Sequence, residues 1–315
     1  MNENPYFSVC IPTYNYAQFL PEAIDSVLGQ TFSDFELLIQ DNCSTDTTDS
    51  VIEKYNDPRI SYQKNGENIG MYGNLNKVCA RAKGKYIKVL CADDIMSKWC
   101  LETIFELLKS QSTDCELISV KETSDRPLID QEPLLSEVNC FFIDRNNLFS
   151  YLSEQENWGA GLAELCVKRI FFQTVGYFGT ADSSKDFSKD IITWLNMALK
   201  TEALMIDQPL IFQRPHAGQS RYSLSRLPQL EEMLNFFNSC QLEYSTYKDF
   251  EKAKQNYLGG YVVSHCWAGF KAMVRGQGTT YFLEVRALLT KYQYDNIPFA
   301  PLIGKIKQRF VRLSN

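Results

Sequence analysis

The chain has 315 residues, of which 44% are hydrophobic and 22% charged, and its net charge is −6. These proportions are typical of a globular protein with a substantial core, and the acidic balance argues against a nucleic-acid-binding protein. No stretch approaches the roughly 20 apolar residues that cross a bilayer, and the first residues show no secretory signal. We therefore expect a cytoplasmic protein, at most peripheral on the inner face of the membrane.

The first 120 residues alternate between strand and helix patterns. Pro12 is expected to end the first strand, and Pro21 fits the first turn of the helix that follows. The predicted strands cover residues 7–11, 35–40, 60–63, 85–91 and 117–120, and the predicted helices begin near residues 20, 46, 71 and 98. This alternation predicts a doubly wound α/β sheet.

The rest of the chain has a weaker pattern. Residues 122–140 and 177–189 are polar and predict loops, and the chain after about residue 225 predicts helices. Short strands are predicted at 162–166, 204–206 and 210–213, and helices at 168–175 and 191–201. We therefore expect a domain of residues 1–225, with halves 1–121 and 122–225, and a helical C-terminal region, 226–315.

Three loops are expected to form one crevice. In doubly wound sheets, ligands bind beyond the carboxyl ends of the parallel strands. Loops 12–16, 41–46 and 91–97 follow three predicted strands at this edge. Their polar side chains are the first candidates for a binding site.

Cys91-Ala92-Asp93-Asp94 is the strongest local feature, because two adjacent acids directly follow a strand. Two neighbouring carboxylates repel each other unless a cation lies beside them, and carboxylate oxygens suit Mg²⁺ or Mn²⁺. The alternative is an acidic cap, shared with Ser97, for the helix predicted at 98–111. From this feature alone, the two interpretations are equally favoured.

Two other segments of the crevice have both a structural and a functional interpretation. Asp41 follows the second strand and could accept a hydrogen bond from a ribose or a base, but an Asx turn is the commoner role. Pro12, Thr13, Tyr14 and Asn15 could stack on and hydrogen-bond a base, or simply turn the chain.

Taken together, these segments resemble the family 2 glycosyltransferases with the GT-A fold. The resemblance rests on FSVCIPTYNYAQFLPEAIDSVLGQTFSDFELLIQDNCSTDTT and ENIGMYGNLNKVCARAKGKYIKVLCADD, and more weakly on VGYFGTADSSKDFSKDIITWLNMALK and FQRPHAGQSRYS. It covers residues 6–222 and implies a GT-A mixed sheet with a helical C-terminal extension. It also implies a nucleotide-diphosphate sugar as donor.

The resemblance implies a role for individual residues. Around the nucleotide it places Pro12, Thr13, Tyr14, Asn15, Asp41, Asn74 and Asp93, with Asp41 on a uracil base and Asp93 on ribose or donor sugar. It implies that Asp94 and His216 lie at a Mn²⁺ or Mg²⁺ ion that bridges the two phosphates. Asp190 would be the catalytic base, and residues 158–161 would form an acceptor-side loop.

The chain departs from the family pattern at a few positions. Gln40 and Asn42 flank a single acid, Cys91 stands where the family often has an acid, and Lys189 replaces the first acid of a Glu-Asp pair. Lys189 is expected to lower the proton affinity of Asp190, for which Asp186 is the fallback.

The function implied is a metal-dependent inverting transfer from a UDP-sugar to a saccharide or lipid-linked acceptor, in bacterial surface polysaccharide synthesis. A nucleotidyltransferase would need a Gly-rich basic loop after the first strand, which PTYNYAQF lacks. A non-catalytic protein of the same fold that binds a sugar nucleotide or a glycan is the other alternative. The basic and apolar residues of 303–312 could form a membrane-surface helix, although a solvated helix is the default.

Overall fold

The computed structural model describes residues 4–111, 114–154, 161–178, 189–216 and 226–244, and 250–252, 254–255, 258, 284, 287–288 and 290–291. Contacts divide the chain into two compact units. The first is Met1–Leu148 with Trp158–Gln219, and the second is Phe149–Asn157 with Ser220–Asn315. The predicted boundary at residue 225 stays a prediction.

The described strands all join one sheet. They are β1 (Phe7–Thr13), β2 (Phe35–Asp41), β3 (Ile60–Lys64), β4 (Tyr86–Val89), β5 (Ile95–Met96), β6 (Leu117–Thr123), β7 (Cys140–Ile143), β8 (Leu165–Lys168) and β9 (Ala203–Phe212). The described helices are α1 (Leu20–Leu28), α2 (Thr48–Ile52), α3 (Met71–Ala80), α4 (Cys100–Ser110), α5 (Arg145–Glu154), α6 (Arg169–Val175), α7 (Lys189–Ala198) and α8 (Arg226–Tyr244).

The sheet is mixed, with the order β3-β2-β1-β4-β8-β6-β9-β5, and β7 also pairs with β9. Strands β1 to β4 pair in parallel, as do β6 and β9. Strand β8 runs antiparallel to both β4 and β6, and so joins the two parallel groups. The carboxyl ends of β1, β2 and β4 therefore lie at one edge of the sheet, as the sequence predicts.

The central strands are buried on both faces because helices cover each side. Val9 and Ile11 of β1 belong to an apolar cluster that includes Ile24 of α1. The side chain of Cys10 lies on the opposite face, where its Sγ is 3.9 Å from the carbonyl oxygen of Val78 in α3. This alternation follows from the two-residue period of a strand.

The prediction that Pro12 ends β1 is wrong, because the strand continues to Thr13. The carbonyl of Cys10 accepts from Leu90 N on the β4 side, and that of Thr13 accepts from Asn42 N on the β2 side. Alternate residues thus face alternate neighbours, and Pro12 faces the side on which β4 has already ended. A proline without an N–H is tolerated there because no ladder bond is lost.

Several other elements differ from the prediction. The two strands expected at 204–206 and 210–213 are one strand, β9, whose register against β6 shifts on either side of Lys121. Residues 162–164 form a 3₁₀ turn, and the strand begins only at Leu165. Strands β5 and β7 and helix α5 were not predicted. The helix expected to run to residue 55 is the short α2.

The second unit contains α8 and an aromatic cluster. The ring of Phe149 stacks on Phe250 with centroids 5.3 Å apart, and contacts Phe237 edge-on at 6.1 Å. Among the described residues, no helix has the length and apolarity that crossing a membrane requires. The C-terminal segment 303–312, predicted as a surface helix, lies outside the described residues.

Candidate functional site

The loops after β1 and β2 are joined by hydrogen bonds. The backbone N–H of Asn15 donates to Ser44 Oγ at 2.8 Å, and the N–H of Thr45 donates to Asn15 Oδ1 at the same distance. Asn15 has φ 55°, a left-handed conformation that asparagine tolerates better than most residues. The expected convergence of these loops is therefore present in the structure.

Asp41 ends β2 and is fully buried. Its Oδ1 accepts from Ser44 N at 2.9 Å and from Ser44 Oγ at 2.5 Å. Its Oδ2 accepts from the Tyr62 hydroxyl at 3.0 Å and lies 3.7 Å from Lys64 Nζ. The carboxylate therefore holds the turn, as the structural interpretation requires. A direct bond from Asp41 to a base stays a prediction.

Thr13 and Tyr14 lie at the end of β1 in contrasting environments. The Thr13 side chain is only 3% exposed, and its Oγ1 has no hydrogen-bond partner among the described residues. Burying an unpaired hydroxyl costs free energy, which a ligand at this position would recover. The Tyr14 ring is 41% exposed and is free of the core. The Tyr14 ring is thus available to a ligand in the crevice, and the buried Thr13 hydroxyl would reach one only if the end of β1 shifts.

Asn74 lies on α3 and is engaged within the protein. Its Nδ2 donates to the Gln40 carbonyl at 2.8 Å, and its Oδ1 accepts from Asn65 Nδ2 at 2.8 Å. The Gln40 side chain in turn donates to Asn65 Oδ1 at 2.9 Å. This buried amide network joins α3 to the end of β2. The role of Asn74 near the sugar nucleotide stays a prediction.

Asp93 and Asp94 lie in the turn that follows β4. Strand β5 and a further turn separate them from α4, which begins at Cys100. No side chain caps the start of α4. The interpretation of these acids as a helix cap is therefore wrong, and both remain in the crevice.

The environment of this turn favours a cation. Cys91, Asp93 and Asp94 offer potential ligand atoms that all lie within 4.8 Å of one another. Burial, reinforced by the charge of Asp93, raises the pKa of Asp94 to about 8. Burial also raises the pKa of the Cys91 thiol well above its usual value. Two adjacent carboxyl groups, of which Asp94 is strongly destabilised as an anion, are a donor set that fits Mg²⁺ or Mn²⁺.

His216 reaches the same turn from the segment after β9. Its Nε2 lies 2.9 Å from Asp93 Oδ2. The imidazole packs against Phe19 with ring centroids 4.7 Å apart, and against Tyr16 edge-on at 5.9 Å. The structure thus brings His216 and the acidic pair together, as the resemblance implies. Tyr16 lies in loop 12–16, which was expected in the crevice, but no individual role was predicted for it.

Two further acids near this turn were not predicted. Glu122, at the end of β6, accepts from Gln213 Nε2 at 3.2 Å, and its charge helps to raise the pKa of Asp94. Burial, followed by the charge of Glu122, raises the pKa of Glu164 to about 8. The carboxyl of Glu164 accepts from Gly161 N at 2.9 Å. The position of Glu122 at a strand's carboxyl end was the available signal.

Asp190 lies in the first turn of α7 and is partly buried. Burial raises its pKa, an effect only partly offset by hydrogen bonds from Ile191 N and the Tyr72 hydroxyl. The expected lowering of its proton affinity by Lys189 is therefore wrong in its net direction. The Lys189 ammonium instead lies 5.8 Å from the centroid of the Tyr72 ring. The fallback residue Asp186, and residues 158–160 of the predicted acceptor loop, lie outside the described residues.

Comparison with known sequences identifies a family. Residues 8–163 match the model described as "Glycosyl transferase family 2". Over 113 residues the chain is 35% identical to the putative teichuronic acid biosynthesis glycosyltransferase TuaG of Bacillus subtilis. That match covers 35% of this chain and 45% of TuaG, so the chain spans less than half the length of that relative.

Comparison with solved structures identifies the fold. Staphylococcus aureus TarS 1–349, in complex with UDP-GlcNAc, has a TM-score of 0.68 at 18% identity, over 91% of this chain and 80% of that one. The mannosyltransferase PcManGT of Pyrobaculum calidifontis, in complex with GDP-Man and Mn²⁺, has a TM-score of 0.51 at 18% identity, over 94% and 89%. The GT-A fold predicted from the sequence is confirmed.

Proposed function

The chain belongs to glycosyl transferase family 2, and from that premise we propose that it transfers a sugar from a nucleotide-diphosphate donor, a UDP-sugar, to a hydroxyl acceptor. The observation that carries the proposal is the position of His216, from the segment after β9, beside the two acids of the turn after β4. Asp93 contacts His216 at 2.9 Å, and Asp94 lies beside them with its pKa raised to about 8.

The nucleoside is proposed to bind at the ends of β1 and β2. The exposed ring of Tyr14 offers a stacking surface, and the unpaired Thr13 hydroxyl offers a hydrogen bond. Asp41 holds the loop that closes this pocket through its bonds to Ser44. TarS, which shares the fold, was crystallised with UDP-GlcNAc, and this supports a uracil nucleotide as the first donor to test.

The diphosphate is proposed to bind beside Asp93 and Asp94. A divalent cation held there by Asp94, with His216 nearby, would offset the charge that develops on the leaving nucleoside diphosphate. The raised pKa of Asp94 supports this assignment, because a buried carboxylate beside another one is stable as an anion only with a cationic partner. PcManGT, of the same fold, was crystallised with Mn²⁺.

Asp190 is proposed as the general base. Its raised pKa makes it a better proton acceptor than an exposed aspartate, and Tyr72 and the N–H of Ile191 fix its orientation. It would take the proton of the acceptor hydroxyl, which attacks the anomeric carbon from the face opposite the leaving group. A single base on the acceptor side gives inversion of configuration.

The biological setting is proposed to be bacterial surface polysaccharide synthesis, with a saccharide or lipid-linked acceptor. The similarity to TuaG, named for teichuronic acid biosynthesis, supports this setting. A non-catalytic sugar-nucleotide-binding protein is the second candidate. It is favoured by Cys91, whose raised pKa keeps it an uncharged thiol at a position where the family resemblance implies an acid.

The proposal is tested by thermal unfolding with UDP, GDP, TDP and CMP, each with and without Mn²⁺. A ligand that binds the native state raises the melting temperature in proportion to the logarithm of its concentration over its Kd. A Mn²⁺-dependent shift with UDP is expected. A shift with another nucleotide would replace the donor, and no shift with any of them would contradict the proposed site. An assay of sugar transfer to acceptors then distinguishes the proposed enzyme from a non-catalytic binding protein.

A further inference from the structure

The segment that carries His216 is bound to both acids of the β4 turn through a neighbouring residue, Arg214. The backbone N–H of Arg214 donates to Asp94 Oδ1 at 3.3 Å. Its guanidinium Nε donates to the backbone carbonyl of Asp93 at 3.2 Å. One residue therefore fixes two successive positions of the turn, and does so without using the carboxylate of Asp93, which faces His216.

The other end of the guanidinium is anchored on α1. Arg214 Nη2 pairs with Glu22 Oε1 at 3.1 Å, and the guanidinium lies over the Phe19 ring, 5.2 Å from its centroid. A guanidinium is planar, so it can stack on an aromatic ring while its edge pairs with a carboxylate. The His216 ring packs against the same phenylalanine. Phe19 thus contacts both Arg214 and His216, and Glu22 holds Arg214 in place over this ring.

Glu22 also pairs with a second arginine. Glu22 Oε2 lies 3.7 Å from Arg126 Nη1, and the Arg126 guanidinium lies 5.6 Å from the centroid of the Phe212 ring at the end of β9. Glu22 therefore links α1 to the segment beyond β9 directly through Arg214, and to Phe212, the last residue of β9, only through Arg126. Its side chain is 53% exposed, so it can be changed without opening the core.

We propose that Glu22 and Arg214 are positioning residues, an ion pair that holds residues 213–216 against the Asp93-Asp94 turn and thereby sets the affinity for the metal and the diphosphate. This inference rests on the proposed function for its ligands, but the positioning itself is a property of the ligand-free chain. Neither carboxylate proposed at the metal is part of the pair. Changing Glu22 therefore tests the position of the ligands without removing one.

The test combines ligand binding with hydrogen exchange on the full chain. UDP binding is measured by calorimetry at saturating Mn²⁺, and Mn²⁺ binding is measured at saturating UDP. An exposed ion pair contributes a small free energy, so Glu22→Gln is expected to weaken both affinities about threefold to fivefold. Arg214→Ala, which loses three contacts at once, is expected to weaken them at least about tenfold.

A double-mutant cycle tests the pairing itself. Glu22→Gln in the Arg214→Ala background is expected to cause no further loss, because coupled residues act non-additively. The matched control is Glu106→Gln, which removes an exposed acid paired with Lys109 at 3.4 Å on α4. The control should leave both affinities unchanged. If Arg214→Ala fails to fold, Arg214→Met, which keeps a long unbranched side chain but has no charge to pair with Glu22, replaces it in the cycle.

Exchange in the ligand-free protein separates this inference from the proposed function. Glu22→Gln is expected to speed amide exchange in peptides covering 213–216 and 91–94, whereas Glu106→Gln does not. If the wild type binds no nucleotide, the proposed function fails, and the exchange result still decides the positioning role. Unchanged exchange in Glu22→Gln would overturn the inference, as would losses of affinity that are additive with Arg214→Ala.

Discussion

Replacing Asp94 by asparagine tests the proposed metal site through the stability of the protein. Asparagine has nearly the same shape, and its Oδ1 can still accept the hydrogen bond from Arg214 N. It cannot be deprotonated, and it is a poorer ligand for a divalent cation. We therefore expect Asp94→Asn to stabilise the metal-free protein at neutral pH and to remove its stabilisation by Mn²⁺.

The magnitude follows from the pKa of Asp94, which is raised from 3.8 to about 8 in the folded state. The folded protein binds this proton more tightly than the unfolded chain, so stability is full below about pH 4 and falls as the pH rises towards 8. The linkage slope is about 1.4 kcal/mol per pH unit. At pH 7 the loss is roughly 4 kcal/mol at most, because water that enters the site reduces it.

The assay is urea unfolding at pH 5, 6 and 7, with a chelator and then with Mn²⁺ and UDP. The stability gained by Asp94→Asn in chelator should increase with pH. Glu164→Gln is the matched control, because burial also raises the pKa of that residue to about 8 but it is not a proposed ligand. Glu164→Gln should change the pH dependence of the free energy of unfolding, and the protein should still be stabilised by Mn²⁺ and UDP. A pH-independent gain, or a Mn²⁺ response retained in Asp94→Asn, would refute the reasoning.

Three other substitutions test separate parts of the structure. Asp190→Asn should lower kcat by about 10²–10⁴ in a transfer assay while UDP binding stays intact, and unchanged turnover would remove Asp190 as the base. In the wild type, the raised pKa of Asp190 should make turnover fall on the acid side at a higher pH than an exposed aspartate would give. Thr13→Val should leave the free energy of unfolding in urea unchanged or higher, because it removes an unpaired buried hydroxyl. The same substitution should weaken UDP binding about threefold to tenfold. Equal UDP affinity would exclude a contact between UDP and the Thr13 hydroxyl. Gly84→Ala would place a Cβ 2.6 Å from Ser8 N, so it should cost about 1–3 kcal/mol in urea unfolding, and a neutral result would show that the β1 backbone can shift.

The parallel half of the sheet could be predicted because the burial of its strands produces a recognisable hydrophobic pattern in the local sequence. Strands β1 and β2 are covered on both faces, and so both are rich in apolar residues; β1 was recognised from its alternating pattern and β2 from its apolar run. The end of β1 could not be predicted, because whether Pro12 is tolerated depends on where the neighbouring strand stops. β9 was split for a related reason. Pro209 interrupts its apolar pattern, and the irregular register against β6 accommodates it.

The elements that were missed have little local signal. Strand β5 has only two residues, and β7 exposes Phe141 and Phe142, so its pattern lacks a polar face. In both cases the pairing with β9 defines the strand. That pairing joins segments that are distant in sequence, and so it leaves no pattern in the local sequence of either strand.

The candidate site divides in the same way. Asp41, Asp93, Asp94, Asp190 and His216 could be selected as candidates because each belongs to a short segment that carries the family resemblance. The residues that contact them could not be selected in this way, since Tyr72 meets Asp190 across 118 positions and Arg214 meets Asp94 across 120. Motifs identify the groups that would touch a ligand, and tertiary contacts between distant segments orient those groups.

The unpredicted residues also bear on the cation proposed at this edge of the sheet. Burial and the charges of neighbouring acids raise the pKa of Asp94 and of Glu164 to about 8, and Glu122 contributes to both shifts. Arg214 lies beside this cluster, but its Nη2 pairs with Glu22 on α1, and its Nε donates to a backbone carbonyl. Its charge is thus directed partly away from the acids. A full ion pair with Asp94 would make the ligand-free protein more stable and would weaken the binding of a divalent ion, so the observed arrangement is the one that the proposed metal site requires.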